Sequence, residues 1–133
     1  MLLYLIVFLK ECALMKPNKI TICSTCDYGV NHSVDGFLKQ LNNSIDASNL
    51  SDHFDIETVE CLGACETPVT IAFQGKDKAC FVFSGIDPDK DLKDIIATSE
   101  TYLKAPKGWI EDARSCGRLR ELLRSRVPAF GSD

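Results

Sequence analysis

Four cysteines are spaced so that they could do chemistry. Cys23 and Cys26 form a C-x-x-C pair, and Cys61 and Cys65 form a C-x-x-x-C pair with glycine at its centre, Cys61-Leu62-Gly63-Ala64-Cys65. Clustered thiols support two kinds of chemistry. As thiolates they ligate soft metals, either zinc or the iron of an iron–sulfur cluster. As a dithiol, a pair can make and break a disulfide. The choice depends on whether the chain brings both pairs to one point.

The surrounding pattern says how it would. Lys19-Ile20-Thr21-Ile22-Cys23 is short and β-branched, the composition of a strand, and it ends at the first pair. Phe37, Leu38, Leu41 and Ile45 recur at helical spacing and predict a helix over about 33–47. Phe54-Asp55-Ile56-Glu57-Thr58-Val59 alternates as a strand does and ends at the second pair. Two apolar runs, 69–73 and 79–83, flank a polar turn containing Gly75 and predict a β-hairpin. Asp87-Pro88 then opens a helix with Leu92, Ile95, Ile96, Tyr102 and Leu103 on its apolar face. A final basic helix is predicted within 109–126, carrying Leu119, Leu122, Leu123 and Val127. The result is an α/β chain in the order β-α-β, then a hairpin and a covering helix, with an extra C-terminal helix. That is the element order of a thioredoxin-like fold. A β-α-β unit implies a parallel pair with a right-handed crossover.

In an open α/β sheet, the loops at the carboxyl ends of neighbouring parallel strands share one edge. The fold therefore brings Cys23, Cys26, Cys61 and Cys65 together from two adjacent loops. Thirty-four residues separate Cys26 from Cys61, enough for a helix, a strand and two loops. Short loops of small residues leave backbone N–H groups for sulfur, and Gly63 can adopt the positive φ such a wrap needs. Three readings stay open on position alone. One is an iron–sulfur cluster held by all four thiols. Another is a thiol–disulfide couple of Cys23 and Cys26, which C-x-x-C near a β-α-β unit also signals. The third is a structural or interaction module holding zinc, although zinc knuckles typically have two residues between their thiols and Cys61 and Cys65 have three.

The motif Cys61-Leu62-Gly63-Ala64-Cys65 followed by Pro68-Val69 resembles the second half of the binding motif in thioredoxin-like [2Fe-2S] ferredoxins. The resemblance implies a [2Fe-2S] cluster with Cys23, Cys26, Cys61 and Cys65 as its ligands, and electron transfer to a redox partner protein. The first pair departs from that family, whose own spacing there is usually wider. From about Lys19 to Pro128 the chain also resembles an uncharacterised bacterial family described as predicted metal-binding proteins. It shares the C-x-x-C, the C-L-G-A-C loop, the Phe-Ser-Gly-Ile-Asp-Pro run at 83–88 and a tail containing Trp and Arg. Members of that family tend to be associated with cobalamin synthesis genes.

The remaining residues narrow the field. Cys80 lies in an apolar run and Cys116 beside Gly117, and both read as structural. His32 and His53 form no ligand-like pair. Asp87-Pro88-Asp89 reads as a helix cap, the arginines at 114, 118, 120, 124 and 126 as a solvated face, and Trp109 as a packing anchor. No substrate pocket, general base or phosphate loop is visible, so the chain is not read as an enzyme. Its net charge of −4 argues against nucleic acid, although Lys104–Asp133 carries +3 and the rest −7.

Seven cysteines is an odd count for a secreted disulfide scaffold, and a reducing cytoplasm fits better. The opening run MLLYLIVFLK has nine apolar residues before Lys10, where a membrane span needs about 20. Residues 1–14 are read as an upstream extension from an early start codon, with a hydrophobic anchor or an added strand as the alternatives, and 15–133 as one domain. A homodimer stays open.

Overall fold

The computed structural model describes residues 16–23, 34–59 and 69–130. Five strands form one mixed sheet in the order β2-β1-β3-β4-β5: β1 (Asn18–Cys23), β2 (Phe54–Val59), β3 (Ile71–Gly75), β4 (Cys80–Phe83) and β5 (Leu123–Val127). β1 lies at the centre of the functional half. It pairs in parallel with β2, Ile20 opposite Ile56, and antiparallel with β3, Ile20 opposite Phe73. β3 and β4 form the expected hairpin.

One face of the sheet is apolar because the strands alternate. Ile20 and Ile22, Phe54, Ile71 and Phe73, and Phe81 and Phe83 are all buried. Among the described residues, two helices form the second layer. In α1 (Val34–Ala47), Phe37, Leu41 and Ile45 sit four residues apart on one stripe and are buried. The helix ends where Asn49 takes a left-handed φ of 60°. This lets the Leu50 N–H reach back to the Ile45 carbonyl, and Leu50 is itself buried.

α2 (Leu92–Lys104) buries Ile95, Thr98, Ser99 and Tyr102. Its buried hydroxyls are satisfied locally, Thr98 donating to the Asp94 carbonyl and Ser99 to that of Ile95. Tyr102 lies among Phe54, Phe73 and Phe81, with ring centroids 5.8–6.4 Å away, and its hydroxyl donates to the Ala79 carbonyl at 2.6 Å. Roughly 25 cal/mol is gained per Å² of apolar surface so removed from water.

The C-terminal third differs from the sequence pattern. A helix is expected from about 109, but the chain makes two 3-10 turns, Pro106–Gly108 and Arg114–Glu121, and then β5 on the open edge of β4. Gly117, at φ 61° and ψ −131°, interrupts any regular helix. The unpaired backbone groups of β4 take a strand in preference to a further helix. The start of α2 also shifts. Asp87 accepts from the N–H groups of Asp89 and Lys90 in a separate turn, and the helix proper begins four residues beyond Pro88.

Candidate metal centre

Cys23 is the last residue of β1 and is 1 % exposed. Its register partner is Val59, the last residue of β2, so the two parallel strands end level with each other. Cys23 N–H donates to the Thr70 carbonyl at 3.0 Å, which ties the same point to the entry of β3. Val69 in turn exchanges two backbone hydrogen bonds with Ile86. Cys23 and Val59, the last described residues before the two segments of sequence that follow them, therefore stand side by side at one end of the sheet. Cys26, Gly63, Cys61 and Cys65 lie in those segments, outside the described residues. Among the described residues, no group of three or more His, Cys, Asp or Glu could hold a metal. Of the four candidate ligands, then, Cys23 has a described position, and the other three have described anchors on either side.

The other candidates take the following positions. Cys80 is half-buried at the far end of the sheet, and burial pushes its thiol above the ordinary range, opposed by a hydrogen bond from Gln74. A hollow of about 600 Å³ lies there too, lined by Lys16, Lys19, Asp55, Glu57, Gln74 and Cys80 among others. Ion pairs Lys19–Glu57 (3.2 Å) and Lys16–Asp55 (3.6 Å) cross its floor. Cys116 is buried at 2 % exposure against the core. His53 contributes its backbone carbonyl, which accepts from both the N–H and the side-chain amide of Asn18, and its ring is exposed. His32 and residues 1–14 lie outside the described residues. Trp109 is half-buried against the core, as an anchor should be, and the Arg126 guanidinium stacks 4.2 Å from its ring centroid.

Sequence reasoning missed a clasp that fixes the C-terminal segment. Asp91, 1 % exposed, accepts from Arg118 Nη1 at 2.6 Å and from the Asp87 N–H at 2.7 Å. The Arg118 N–H donates to Asp94 at 3.1 Å. Three residues with no shared motif meet here across 27 positions of sequence, so only the fold reveals them.

The family model for the protein of unknown function DUF1636 matches residues 20–129. The chain belongs to that family. No curated protein matches it. Among solved structures, it is similar to a thioredoxin-like [2Fe-2S] ferredoxin from Aquifex aeolicus. That match has a TM-score of 0.56 and 14% identity, and covers 90% of this chain and 100% of the ferredoxin. A wild-type thioredoxin-like [2Fe-2S] ferredoxin structure from the same organism matches with a TM-score of 0.51 and 16% identity, over 84% of this chain and 99% of that one. At such identities the likeness shows the fold, which is thioredoxin-like. No helix among the described residues is long and apolar enough to cross a membrane.

Proposed function

We propose that this member of DUF1636 is a ferredoxin-like protein that holds a [2Fe-2S] cluster through Cys23, Cys26, Cys61 and Cys65. The observation that carries the reading is the level ending of β1 and β2, with Cys23 opposite Val59. It supports the reading because Cys23, three residues before Cys26, and Val59, two residues before Cys61, end level at one sheet edge. The donor chemistry fits, since thiolates are the ligands of such clusters and Cys23 presents its sulfur in a water-poor setting. The likeness to thioredoxin-like [2Fe-2S] ferredoxins supports the same cofactor.

When bound, the cluster supplies one-electron chemistry. The chain's own residues set its surroundings. The ladder of β1 between β2 and β3 fixes the Cys23 backbone, and the buried position of Cys23 limits water at that ligand. The electron would pass to or from a partner protein in the cytoplasm, and a link to cobalamin synthesis is what the resemblance to predicted metal-binding proteins implies.

A C-x-x-C at the end of β1 also favours a second reading, a thiol–disulfide oxidoreductase working through Cys23 and Cys26. One experiment separates them: anaerobic purification, an absorption spectrum, and assays of iron, sulfide and zinc on the same sample. A brown protein with near-equal iron and sulfide, bleached by dithionite, supports the cluster. Cys61→Ser should then abolish the cofactor as fully as Cys26→Ser does. A colourless protein containing zinc, or a metal-free one with titratable thiols, overturns it. A dithiol whose potential is unchanged by Cys61→Ser establishes the second reading.

A further inference from the structure

The hollow of about 600 Å³ lies at the end of the sheet away from Cys23, and its size is that of a small-molecule site. Four lysines line it, Lys16, Lys19, Lys76 and Lys78, against two acids, Asp55 and Glu57. The acids are taken: Asp55 pairs with Lys16 and Glu57 with Lys19. Among the described residues no ion pair neutralises Lys76 or Lys78, so the lining carries an excess of two positive charges.

Lys78 is not a loose surface lysine. Its Nζ donates to Asn18 Oδ1 at 2.7 Å. Asn18 is 1% exposed and is itself locked, because its N–H and its side-chain Nδ2 both donate to the His53 carbonyl. A Cβ added at Gly75 would stand 2.6 Å from Lys78 Cδ, and one added at Gly108 would stand 3.0 Å from Lys78 Cβ, so two glycines make room for the stem. The ammonium lies 5.3 Å from the centroid of the Tyr102 ring. A lysine so held has given up rotamer freedom before any ligand arrives, which lowers the cost of binding one. The holding partner matters too. Asn18 is neutral, so it orients the ammonium without cancelling its charge, and it takes one of three donors. Burial lowers Lys78 from the ordinary lysine range, a penalty on its charge that a bound anion offsets.

The lining narrows the ligand. It holds no arginine, whose fork suits a carboxylate, whereas lysine binds phosphate as a point charge. A phosphate monoester carries about −1.5 to −2 near neutral pH, which matches the excess. No aromatic side chain is among the described lining residues, so a nucleobase finds no stacking surface there. Asp55, Glu57 and Gln74 bring acceptor oxygens for hydroxyl groups. We propose that this hollow binds a small, hydroxylated phosphate monoester, with Lys76 and Lys78 on its phosphate. The site stands five residue rises along β1 from Cys23, about 17 Å, and the proposal holds whatever the cysteines bind.

The test titrates the full chain with glycerol 3-phosphate and follows the backbone amides by NMR. The expected result is a saturable set of shifts at 16–19 and 74–80, with glycerol silent and succinate bound at least about tenfold more weakly. Lys78→Met keeps the stem between the glycines and should weaken binding at least about tenfold, the loss of one charge-assisted hydrogen bond. Lys76→Gln, at an exposed position, should weaken it about threefold, so a poorly folded Lys78 variant leaves the test intact. Equal binding of succinate would overturn the proposal, as would unchanged affinity in both lysine variants. So would shifts that never saturate, shifts centred on residues 114–126, or AMP binding about tenfold tighter than glycerol 3-phosphate, the mark of a stacking surface.

Discussion

Removing the guanidinium of Arg118 tests how the C-terminal segment is held. The ion pair with Asp91 is asymmetric, since the carboxylate side is 1% exposed and the arginine 44%. Exposed pairs contribute at most about 1 kcal/mol, whereas breaking a fully buried one costs about 3–5 kcal/mol, because a charge is left stranded. Arg118→Met keeps the aliphatic stem and removes the charge. Asp91 would retain one donor, the Asp87 N–H, and its Oδ1 already lacks a hydrogen-bond partner. The cost should therefore fall between the two limits, at about 2–3 kcal/mol. Asp91→Asn placed on top should recover about half of the loss, by taking away the stranded charge. Urea unfolding of the four proteins of this cycle measures both quantities, provided the denaturant slope stays constant. A loss below about 0.5 kcal/mol for Arg118→Met, or strict additivity of the two substitutions, would refute the reasoning.

Three further outcomes are expected. Burial, and to a lesser degree charge on Cys80, push the Tyr102 phenol above its ordinary range. The folded state then keeps a proton that the unfolded chain releases from about pH 10, so Tyr102 stabilises fully below that pH and loses its contribution as pH rises further. Tyr102→Phe should cost about 1–2 kcal/mol at neutral pH and flatten the alkaline decline in melting temperature. Lys78, lowered by burial, acts in the opposite direction in both proteins and drops out of the difference. Gly117→Ala should destabilise by at least about 2 kcal/mol in urea, because φ 61° and ψ −131° suit glycine and an added Cβ would lie against the Asp94 carboxylate. Peptide mapping after iodoacetamide should find Cys80 alkylated more slowly in the folded protein than in urea at pH 8, the gap closing as pH rises.

The functional half of the fold was legible because its signals are local. Ile20-Thr21-Ile22 and Phe54 to Val59 alternate, and Phe37, Leu41 and Ile45 repeat, so β1, α1, β2 and the hairpin follow from periodicity. So did the parallel pairing that levels Cys23 with Val59, since a helix between two strands permits little else. The C-terminal third was not legible. Leu119, Leu122 and Leu123 mimic a helical stripe, but Leu119 is buried in a 3-10 turn while Leu123 starts a strand. What decides between them is the open edge of β4 and the Asp91–Arg118 clasp, neither of which is local in sequence. Of the candidate site, Cys23 meets the expectation of a strand-end thiol, while Cys26, Cys61 and Cys65 belong to segments outside the described residues.

The position of β1 bears on how the protein is made. All four candidate thiols have been synthesised by residue 65, yet β1 then has a neighbour on one side only. Its other ladder, from Asn18–Gly75 to Ile22–Ile71, together with the Cys23–Thr70 hydrogen bond, needs ten further residues. A nascent chain thus carries all four candidate thiols before the scaffold that steadies the first of them is complete. Loading during translation would meet an open half-sheet, whereas loading after release would meet a closed one.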